Sequence, residues 1–243
     1  MTNIPWAHVS SGSIYSGGKI LAENGEIRVE RDLGDPIVRK YFELHPERFL
    51  GFSELDEPNF SFKSGLCTLY AGTKALAEEA IGNAARGYTW RLGLPFNEHD
   101  ETPNFLSQLR ASTRIHYGVN SVSQVDDCVR ACLELWERRA SFGIYNIANP
   151  GAVSTQEVLQ MMQRIFRRVQ PLGCWSGGEE GERVDAKTPF SHCILDVSKL
   201  LSTGIKLRDA REALETALKN WEAAGRDDTK EAKFLTTDYV DGG

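Results

Sequence analysis

The sequence predicts an α/β fold built on a parallel sheet, and three observations support this. Strand-like and helix-like segments alternate along the chain, which is typical of parallel sheets with crossover helices. The strand candidates WAHVS, YTWRLGLP and GIYNIAN are each separated by at least one helical pattern. The C-terminal third is mostly helical in pattern, which indicates a smaller lobe at the carboxyl edge of the sheet, where open α/β sheets bind ligands.

The first half of the chain contains two of these strands and one long polar segment. WAHVS, residues 6–10, runs into the hydroxyl-rich turn SGSIYSG. Residues 17–62 hold an Asn-Gly turn signal in KILAENGEIRVE and a helical patch in PIVRKYFELH, and we interpret them as an insertion over a site. Apolar residues at helical spacing predict a helix from Tyr70 to Gly87. The strand YTWRLGLP follows and is closed by Pro95.

Helices dominate the second half of the chain. Asp126 or Asp127 is predicted to cap the helix CVRACLELWERRA, and STQE is a capping box that opens VLQMMQRIFRRV. The first of these helices has an apolar stripe that predicts its buried face: Val129, Cys132, Leu133 and Trp136. A last amphipathic helix has apolar residues along one side: Ala210, Leu214, Leu218 and Trp221.

Composition excludes several classes of function. The formal net charge is −6 and no Lys/Arg cluster stands free of acidic neighbours, so nucleic-acid binding is disfavoured. No apolar run approaches the roughly 18 to 20 residues that span a bilayer, and a signal peptide is not recognisable, which predicts a cytoplasmic protein with no membrane partner. Cys128 and Cys132 lie four apart without further ligands nearby. We interpret them as buried reduced thiols and predict no metal site.

A Tyr-x-x-x-Lys pattern, Tyr70 and Lys74, carries the chemistry. Residues four apart on a helix are neighbours, about 5 to 6 Å apart at Cβ, so the ammonium group can stabilise a tyrosinate. Interconversion of a hydroxyl and a ketone needs a general acid or base of this kind. Ser11, at the end of the first strand, is predicted to hold the same oxygen by a hydrogen bond. Alone, the pair also fits an ordinary helix surface and the Ser-Ser-Gly an ordinary turn, so the combination of motifs decides.

Six motifs follow in a recognisable order: HVSSGSIYSG, FSELDEPNFSF, LYAGTKALAEEAI, WRLGLPF, VDDCVRACLELWERRASFGIYNIANPG and LDVSKL. In this order the chain resembles the extended short-chain dehydrogenase/reductases, in particular the NAD-dependent epimerase/dehydratase family and its dTDP-4-dehydrorhamnose reductase-like and sugar dehydratase-like branch. The resemblance covers nearly the whole chain apart from residues 17–62 and the tail. It implies a Rossmann-like sheet, NAD or NADP as cofactor, and a nucleotide sugar as substrate.

The resemblance also implies roles for individual residues. Ser11 would be the catalytic hydroxyl residue, and Tyr70 the proton donor or acceptor. Lys74 would lower the pKa of Tyr70 and, with it, contact the nicotinamide ribose. Pro95 would lie beside the nicotinamide. Asn104 would lie in the segment that meets the sugar nucleotide.

Three positions depart from the family pattern as we align it. Ser13 and Gln108 stand where the epimerase/reductase branch has a Cys and a Lys that serve epimerisation. The resemblance therefore does not support 3,5-epimerisation, and Ser13 joins Ser11 and Asn104 as a predicted substrate contact. Phe190 stands where relatives tend to carry Arg.

A glycine-rich dinucleotide-binding turn is not found in the sequence, which has neither G-x-x-G-x-x-G nor G-x-G-x-x-G. Gly177, Gly178 and Gly181 are its nearest imitation, but charged residues follow them and we interpret them as a loop. The resemblance thus implies that the N-terminal half of the Rossmann-like domain is absent. Two explanations stay open: a fragment or truncated gene model of an ordinary enzyme, which the intact catalytic set favours, or a genuine short product without redox chemistry.

These observations predict three regions and one function. Residues 1–150 form the C-terminal half of a Rossmann-like domain, residues 151–225 a substrate-binding lobe, and residues 226–243 a polar tail. The predicted function is that of an NAD(P)-dependent nucleotide-sugar oxidoreductase of the epimerase, dehydratase or 4-keto-reductase type, and the resemblance implies a homodimer. The alternative is a noncatalytic nucleotide-sugar-binding or subunit-interaction module. A hydrolase based on Ser11 is disfavoured because no G-x-S-x-G surrounds it.

Overall fold

The structure, a computed structural model, describes residues 4–65, 67–82, 86–101, 103–112, 115–166, 174–175 and 192–221. It confirms the α/β prediction. The central sheet has three parallel strands in the order β1-β5-β10, with β1 at Trp6–Ser11, β5 at Gly87–Leu92 and β10 at Gly143–Ile147. Ser11 pairs with Leu92, which in turn pairs with Ile147, so the three strands end side by side at one edge.

Two helices cover opposite faces of this sheet. They are α2, at Leu69–Ile81, and α4, at Val125–Glu137. In β5, Arg91 reaches Glu78 of α2, whereas Tyr88 packs against the apolar side of α4. Because residues of opposite parity in a strand point to opposite faces, the two helices lie on either side of the sheet.

Residues 17–62 contain a small sheet and a helix of their own. The sheet is antiparallel, in the order β3-β2-β4, with β2 at Gly18–Leu21, β3 at Ile27–Glu30 and β4 at Phe49–Leu50. Helix α1, at Pro36–Leu44, begins at Asp35, whose carboxylate accepts hydrogen bonds from two backbone N–H groups of its first turn. The predicted Asn-Gly turn and helical patch are both present, and the segment shares an apolar cluster with Tyr117, Val119 and Ile194.

The C-terminal helices pack with a helix from earlier in the chain. Helices α3, α5 and α7, at Phe105–Ala111, Thr155–Ile165 and Ala210–Lys219, share one apolar cluster, and Trp221 packs against it. The predicted capping box is confirmed, since the Ser154 hydroxyl accepts from the Glu157 N–H and the Glu157 carboxylate accepts from the Ser154 N–H. Helix α6, at Ser198–Ser202, packs beside β10.

The remaining strands form three short pairs. Strand β6 at Leu94–Phe96 pairs with β9 at Val122–Gln124, β7 at Ile115–His116 with β12 at Cys174–Trp175, and β8 at Val119–Asn120 with β11 at Val153–Ser154. None of the helices in the described ranges is long and apolar enough to cross a membrane.

Two predicted boundaries near the sheet are wrong. Helix α2 ends at Ile81 rather than Gly87, because Gly82 adopts a φ of 52° and its N–H closes the last turn. Gly87 instead begins β5, where a Cβ would collide with the ring of Trp6. Pro95 does not close the strand but lies within β6, a short strand that pairs only with β9 among the described residues.

Helix α4 differs from its prediction in both its cap and its buried face. Gln124, not an aspartate, caps it, since the Gln124 side chain accepts from the Asp127 N–H. The helix buries Cys128, Ala131 and Leu135 against the sheet. Val129, Leu133 and Trp136, which were predicted to be buried, are all at least half exposed.

The domain boundaries stay predictions. The helical cluster of the C-terminal region also includes α3, which precedes the predicted boundary at residue 150. The tail at 226–243, the glycine triplet Gly177, Gly178 and Gly181, and Phe190 lie outside the described residues.

Candidate functional site

Ser11 lies where the sheet ends. It is the last residue of β1 and caps a single 3-10 turn at Gly12–Ile14. The Ser11 hydroxyl oxygen accepts hydrogen bonds from the backbone N–H of Ser13 at 3.2 Å and from the Ser13 hydroxyl at 3.0 Å. The two predicted serines therefore form one hydroxyl pair at the carboxyl edge of the sheet.

Tyr70 and Lys74 lie on the first turns of α2, which begins after the cap residue Thr68. The Lys74 ammonium nitrogen is 5.7 Å from the centre of the Tyr70 ring, so the predicted pair does share a face. The Tyr70 side chain is exposed, as a group that meets a substrate must be. Lys74 also donates to the carbonyl oxygen of Val9 at 3.0 Å, which ties α2 to the strand that ends at Ser11.

Val9 also connects Lys74 to an apolar groove. Its side chain lines a cavity of about 270 Å³, together with Trp90, Leu92 and Pro95 from the neighbouring strands. The opposite wall is α4, including the half-exposed residues Val129 and Leu133. Pro95, the predicted neighbour of the nicotinamide, thus lies in a groove that begins on the strand contacted by Lys74.

Asn104 has a structural task in this arrangement. It is buried and caps α3, accepting a hydrogen bond from the Leu106 N–H. Its amide nitrogen donates to the carbonyl oxygens of Asn97 and His99, at 3.0 and 2.6 Å. These contacts use both ends of the side-chain amide, so the predicted role in substrate binding is not visible in this conformation and stays a prediction.

Sequence reasoning missed a buried ion pair beneath the site. Arg91 binds both carboxylate oxygens of Glu78, the shortest contact being 2.7 Å, and the two side chains are 3% and 7% exposed. The Ser10 hydroxyl donates to Glu78 at 2.5 Å, and Arg91 donates to the Tyr15 hydroxyl at 2.8 Å. Two signals could have revealed it: the spacing of four from Lys74 to Glu78, and a lone charge in the apolar strand YTWRL.

Burial leaves Tyr70 as the most accessible candidate acid or base of the cluster. Desolvation raises the pKa of the Tyr15 hydroxyl above its usual value, although Arg91 opposes the shift. Burial also raises the pKa of Cys128 and of Cys132 to about 12, so both stay protonated thiols at neutral pH. Across the described part of the chain, no group of three His, Cys, Asp or Glu side chains could hold a metal ion.

The residues fit one end of a nicotinamide cofactor. The exposed Tyr70 and the Lys74 ammonium offer a hydroxyl and a cation to the ribose. The apolar groove at Pro95 is walled by α4 and so lies on the opposite face of the sheet from α2. Within the described ranges, no glycine-rich turn leads from a strand directly into a helix N-terminus, which is the usual site for a pyrophosphate. The structure therefore shows a fit for the nicotinamide end only.

The chain is similar in sequence to a plant enzyme. No family model matches the sequence. A bifunctional dTDP-4-dehydrorhamnose 3,5-epimerase/dTDP-4-dehydrorhamnose reductase of Arabidopsis thaliana is 30% identical over 168 residues, which cover 68% of this chain and 52% of the relative. The chain thus spans about half the length of that relative.

Solved structures match over more of the chain. The UDP-rhamnose synthase L780 of Acanthamoeba polyphaga mimivirus superposes with a TM-score of 0.64 at 19% identity, over 90% of this chain and 65% of that one. MoeE5, solved with UDP-glucuronic acid and NAD, superposes with a TM-score of 0.55 at 19% identity, over 89% of this chain and 64% of that one. At these identities the likeness shows the fold. Taken with the sequence relatives, it confirms the resemblance: the chain belongs to the extended short-chain dehydrogenase/reductases, among relatives of the nucleotide-sugar epimerase/reductases.

Proposed function

We propose that this chain carries the catalytic edge of an NAD(P)-dependent oxidoreductase that acts on a keto or hydroxyl group of a nucleotide-linked sugar. One observation supports this most: the Lys74 ammonium lies beside the exposed Tyr70 ring and is tied to the strand that ends at Ser11. The names of the relatives, which act on dTDP- and UDP-linked deoxysugars, support the substrate class. A homodimer and a cytoplasmic location stay predictions.

In the proposed mechanism the chain moves a proton and orients an oxygen. The Tyr70 hydroxyl transfers a proton to or from the sugar oxygen, because it is exposed and has a cation beside it. The Ser11 hydroxyl, held by Ser13, donates a hydrogen bond to the same oxygen. Lys74 places a positive charge beside the Tyr70 ring during the transfer. Tyr70 and Lys74 would hold the ribose of a nicotinamide cofactor, which would supply or accept the hydride when bound.

Replacement of one oxygen atom tests the role of Tyr70. Tyr70→Phe is expected to reduce the turnover of a 4-keto nucleotide sugar to background, because the proton donor is lost, while the exposed position leaves the fold intact. The measurement is NADH or NADPH oxidation followed at 340 nm, with thermal unfolding as the check on folding. Tyr41→Phe, a partly exposed tyrosine on α1, is the matched control and should retain full turnover. Turnover retained by Tyr70→Phe would exclude the assigned role.

A noncatalytic interaction module is the second candidate, and one observation favours it. Val129, Leu133 and Trp136 form an apolar stripe on α4 that is 54%, 58% and 50% exposed beside the apolar groove. Surfaces of this kind commonly bind another protein. A titration with NADH and NADPH that shows no saturable change in tryptophan fluorescence, on a folded chain, would favour the module over the enzyme.

A further inference from the structure

Arg91 bridges α2 and the turn after Ser11 through its own charge. We infer that Arg91, with Glu78 as its counter-ion, is a positioning residue that sets Tyr70 and Lys74 against Ser11. The inference rests on the proposed function, because that function is what makes the relative position of Tyr70, Lys74 and Ser11 matter. The position itself follows from hydrogen bonds made by Arg91 and Glu78.

The first contact fixes the rotation of the helix. Tyr70, Lys74 and Glu78 follow one another at intervals of four, so they lie along one strip of α2. The Arg91 guanidinium binds both oxygens of Glu78, at 2.7 Å and 3.1 Å. Bidentate hydrogen bonding between a guanidinium and a carboxylate fixes the relative orientation of the two groups as well as their distance. Any rotation of α2 that would move Tyr70 must therefore break this pair.

The second set of contacts fixes the strand end. Ser10, directly before Ser11, donates to the same Glu78 carboxylate at 2.5 Å. Tyr15, four residues after Ser11, accepts from Arg91 at 2.8 Å and donates to the Asp56 carbonyl oxygen at 2.6 Å. The pair of Arg91 and Glu78 is therefore hydrogen-bonded to residues before and after Ser11. It connects the turn that follows β1 to helix α2.

Stability alone does not account for this pair. Removing two charges from water is costly, and an apolar pair of similar size often gives equal or greater stability. Burial disfavours the charge on Arg91, but its hydrogen bonds to Glu78 and the nearby Tyr15 keep its pKa above the ordinary value, so the charge is retained. Unlike an apolar contact, the bidentate ion pair of Arg91 and Glu78 specifies a single orientation of α2.

A paired substitution separates positioning from stability. Glu78→Leu with Arg91→Met removes both charges and leaves neither one buried without a partner. We expect this double variant to fold with a thermal midpoint close to that of the unmodified chain, and kcat to fall about 100-fold with little change in KM, since misplacement by about 1 Å costs that much. A folded double variant with unchanged kcat would overturn the inference.

A second ion pair, in which Asp127 is buried and the Arg208 side chain is 31% exposed, provides the control. Asp127 and Arg208 are 2.9 Å apart on the α4 side of the sheet and do not contact α2. Asp127→Leu with Arg208→Met should leave kcat within about twofold, and an equal loss of kcat there would overturn the inference. If the first double variant does not fold, Tyr15→Phe provides a second test, because it removes the hydroxyl that joins Arg91 to the Asp56 carbonyl oxygen and leaves the pair of Arg91 and Glu78 in place. This variant should lower kcat at least fivefold, and an unchanged kcat would again overturn the inference.

A readout without turnover distinguishes this inference from the proposed function. If the unmodified chain turns over no sugar, the proposed function fails, but the position of the helix can still be read from the backbone amide resonances of Ser11 and Lys74. In the first double variant both resonances should shift while those of α7 stay in place. Unchanged resonances at Ser11 and Lys74 would show that the ion pair does not position the helix.

Discussion

At the scale of single residues, Asn104 is where a structural role competes most directly with a predicted binding role. Its side chain caps α3 and joins the helix to the loop at Asn97 and His99. If the amide turned toward a ligand, the buried Leu106 N–H and the carbonyl oxygens of Asn97 and His99 would lose these hydrogen bonds. A substrate contact from Asn104 would therefore compete with the hydrogen bonds that hold the start of α3.

Asn104→Ala should lower the free energy of unfolding by about 1 to 3 kcal/mol, because a helix cap and buried hydrogen bonds are lost together. Urea unfolding followed by far-UV circular dichroism measures it. Gln108→Ala, an exposed position on the same helix, should change the free energy of unfolding by less than about 0.5 kcal/mol. An unchanged stability for Asn104→Ala, together with weaker binding of a nucleotide sugar, would favour the predicted binding role.

Single-residue predictions from the sequence succeeded where the contact is local. The neighbourhood of Tyr70 and Lys74 follows from helical spacing alone, and so does the capping box at Ser154. The bond from Lys74 to the Val9 carbonyl and the ion pair of Arg91 with Glu78 depend on how α2 lies across the sheet. Spacing along the chain places Glu78 on the same side of the helix as Lys74, but it does not say which strand residues that side meets.

At the scale of elements, α4 shows why a helix can be predicted while its buried face is not. The helix has apolar residues on two adjoining strips, one with Cys128, Ala131 and Leu135 and the other with Val129 and Leu133. Hydrophobic periodicity predicts that such a segment is helical, but it gives no preference between two apolar strips. The sheet selects the strip with the smaller residues, and the other strip borders the groove.

Asp127 ties the first turn of α4 to the C-terminal helices. Its carboxylate accepts hydrogen bonds from Arg208, Asn149 and Arg130, at 2.9, 3.0 and 2.8 Å. Burial by itself raises the pKa of Asp127, but the hydrogen bonds from Arg208 and Asn149 outweigh it, so the pKa lies below the ordinary value. A depressed pKa means that the ionised carboxylate stabilises the fold above the pKa of the unfolded chain, and that this contribution is lost as the pH falls through the folded pKa.

Asp127→Asn should therefore lower the free energy of unfolding at pH 7 by about 2 to 3 kcal/mol, because charge-assisted hydrogen bonds are lost. The difference from the unmodified chain should narrow as the pH falls below about 4. Urea unfolding at pH 7, 5 and 3.5 measures both effects. The exposed neighbour Asp126 serves as a control: Asp126→Asn should lower the free energy of unfolding by no more than about 0.5 kcal/mol. A difference that stays constant from pH 7 to 3.5 would contradict this account.

At the scale of the whole molecule, residues 192–197 connect two distant regions. The Gly17 N–H donates to the His192 carbonyl oxygen, and the Phe52 N–H donates to that of Ile194. On the other side, the Ser121 N–H donates to the Cys193 carbonyl oxygen. This segment therefore lies between the small antiparallel sheet region and the β8–β9 region, and its contacts tie residues 17–62 to the rest of the fold.

A methyl group at Gly51 should disturb this junction and, through it, the whole fold. A Cβ there would lie 2.1 Å from the backbone nitrogen of Asp196, so Gly51→Ala must push two backbones apart. The free energy of unfolding should fall by at least about 1 to 3 kcal/mol, the range for overpacking, because backbone atoms can move apart less easily than side chains. Gly34→Ala is the control, since the atom nearest to a Cβ there belongs to the Asp32 side chain, at 3.2 Å. This variant should lower the free energy of unfolding by less than Gly51→Ala.

The form of the transition tests whether the junction couples the regions. If residues 17–62 unfold together with the parallel sheet, tryptophan fluorescence and far-UV circular dichroism should give coincident urea transitions, both shifted to lower urea by Gly51→Ala. The tryptophans Trp6 and Trp90 lie in the parallel sheet, whereas the circular dichroism also reports α1 and the small antiparallel sheet. If only part of the circular dichroism signal moves to lower urea while the fluorescence transition stays in place, the small sheet is a separate folding unit and residues 192–197 do not couple it to the core.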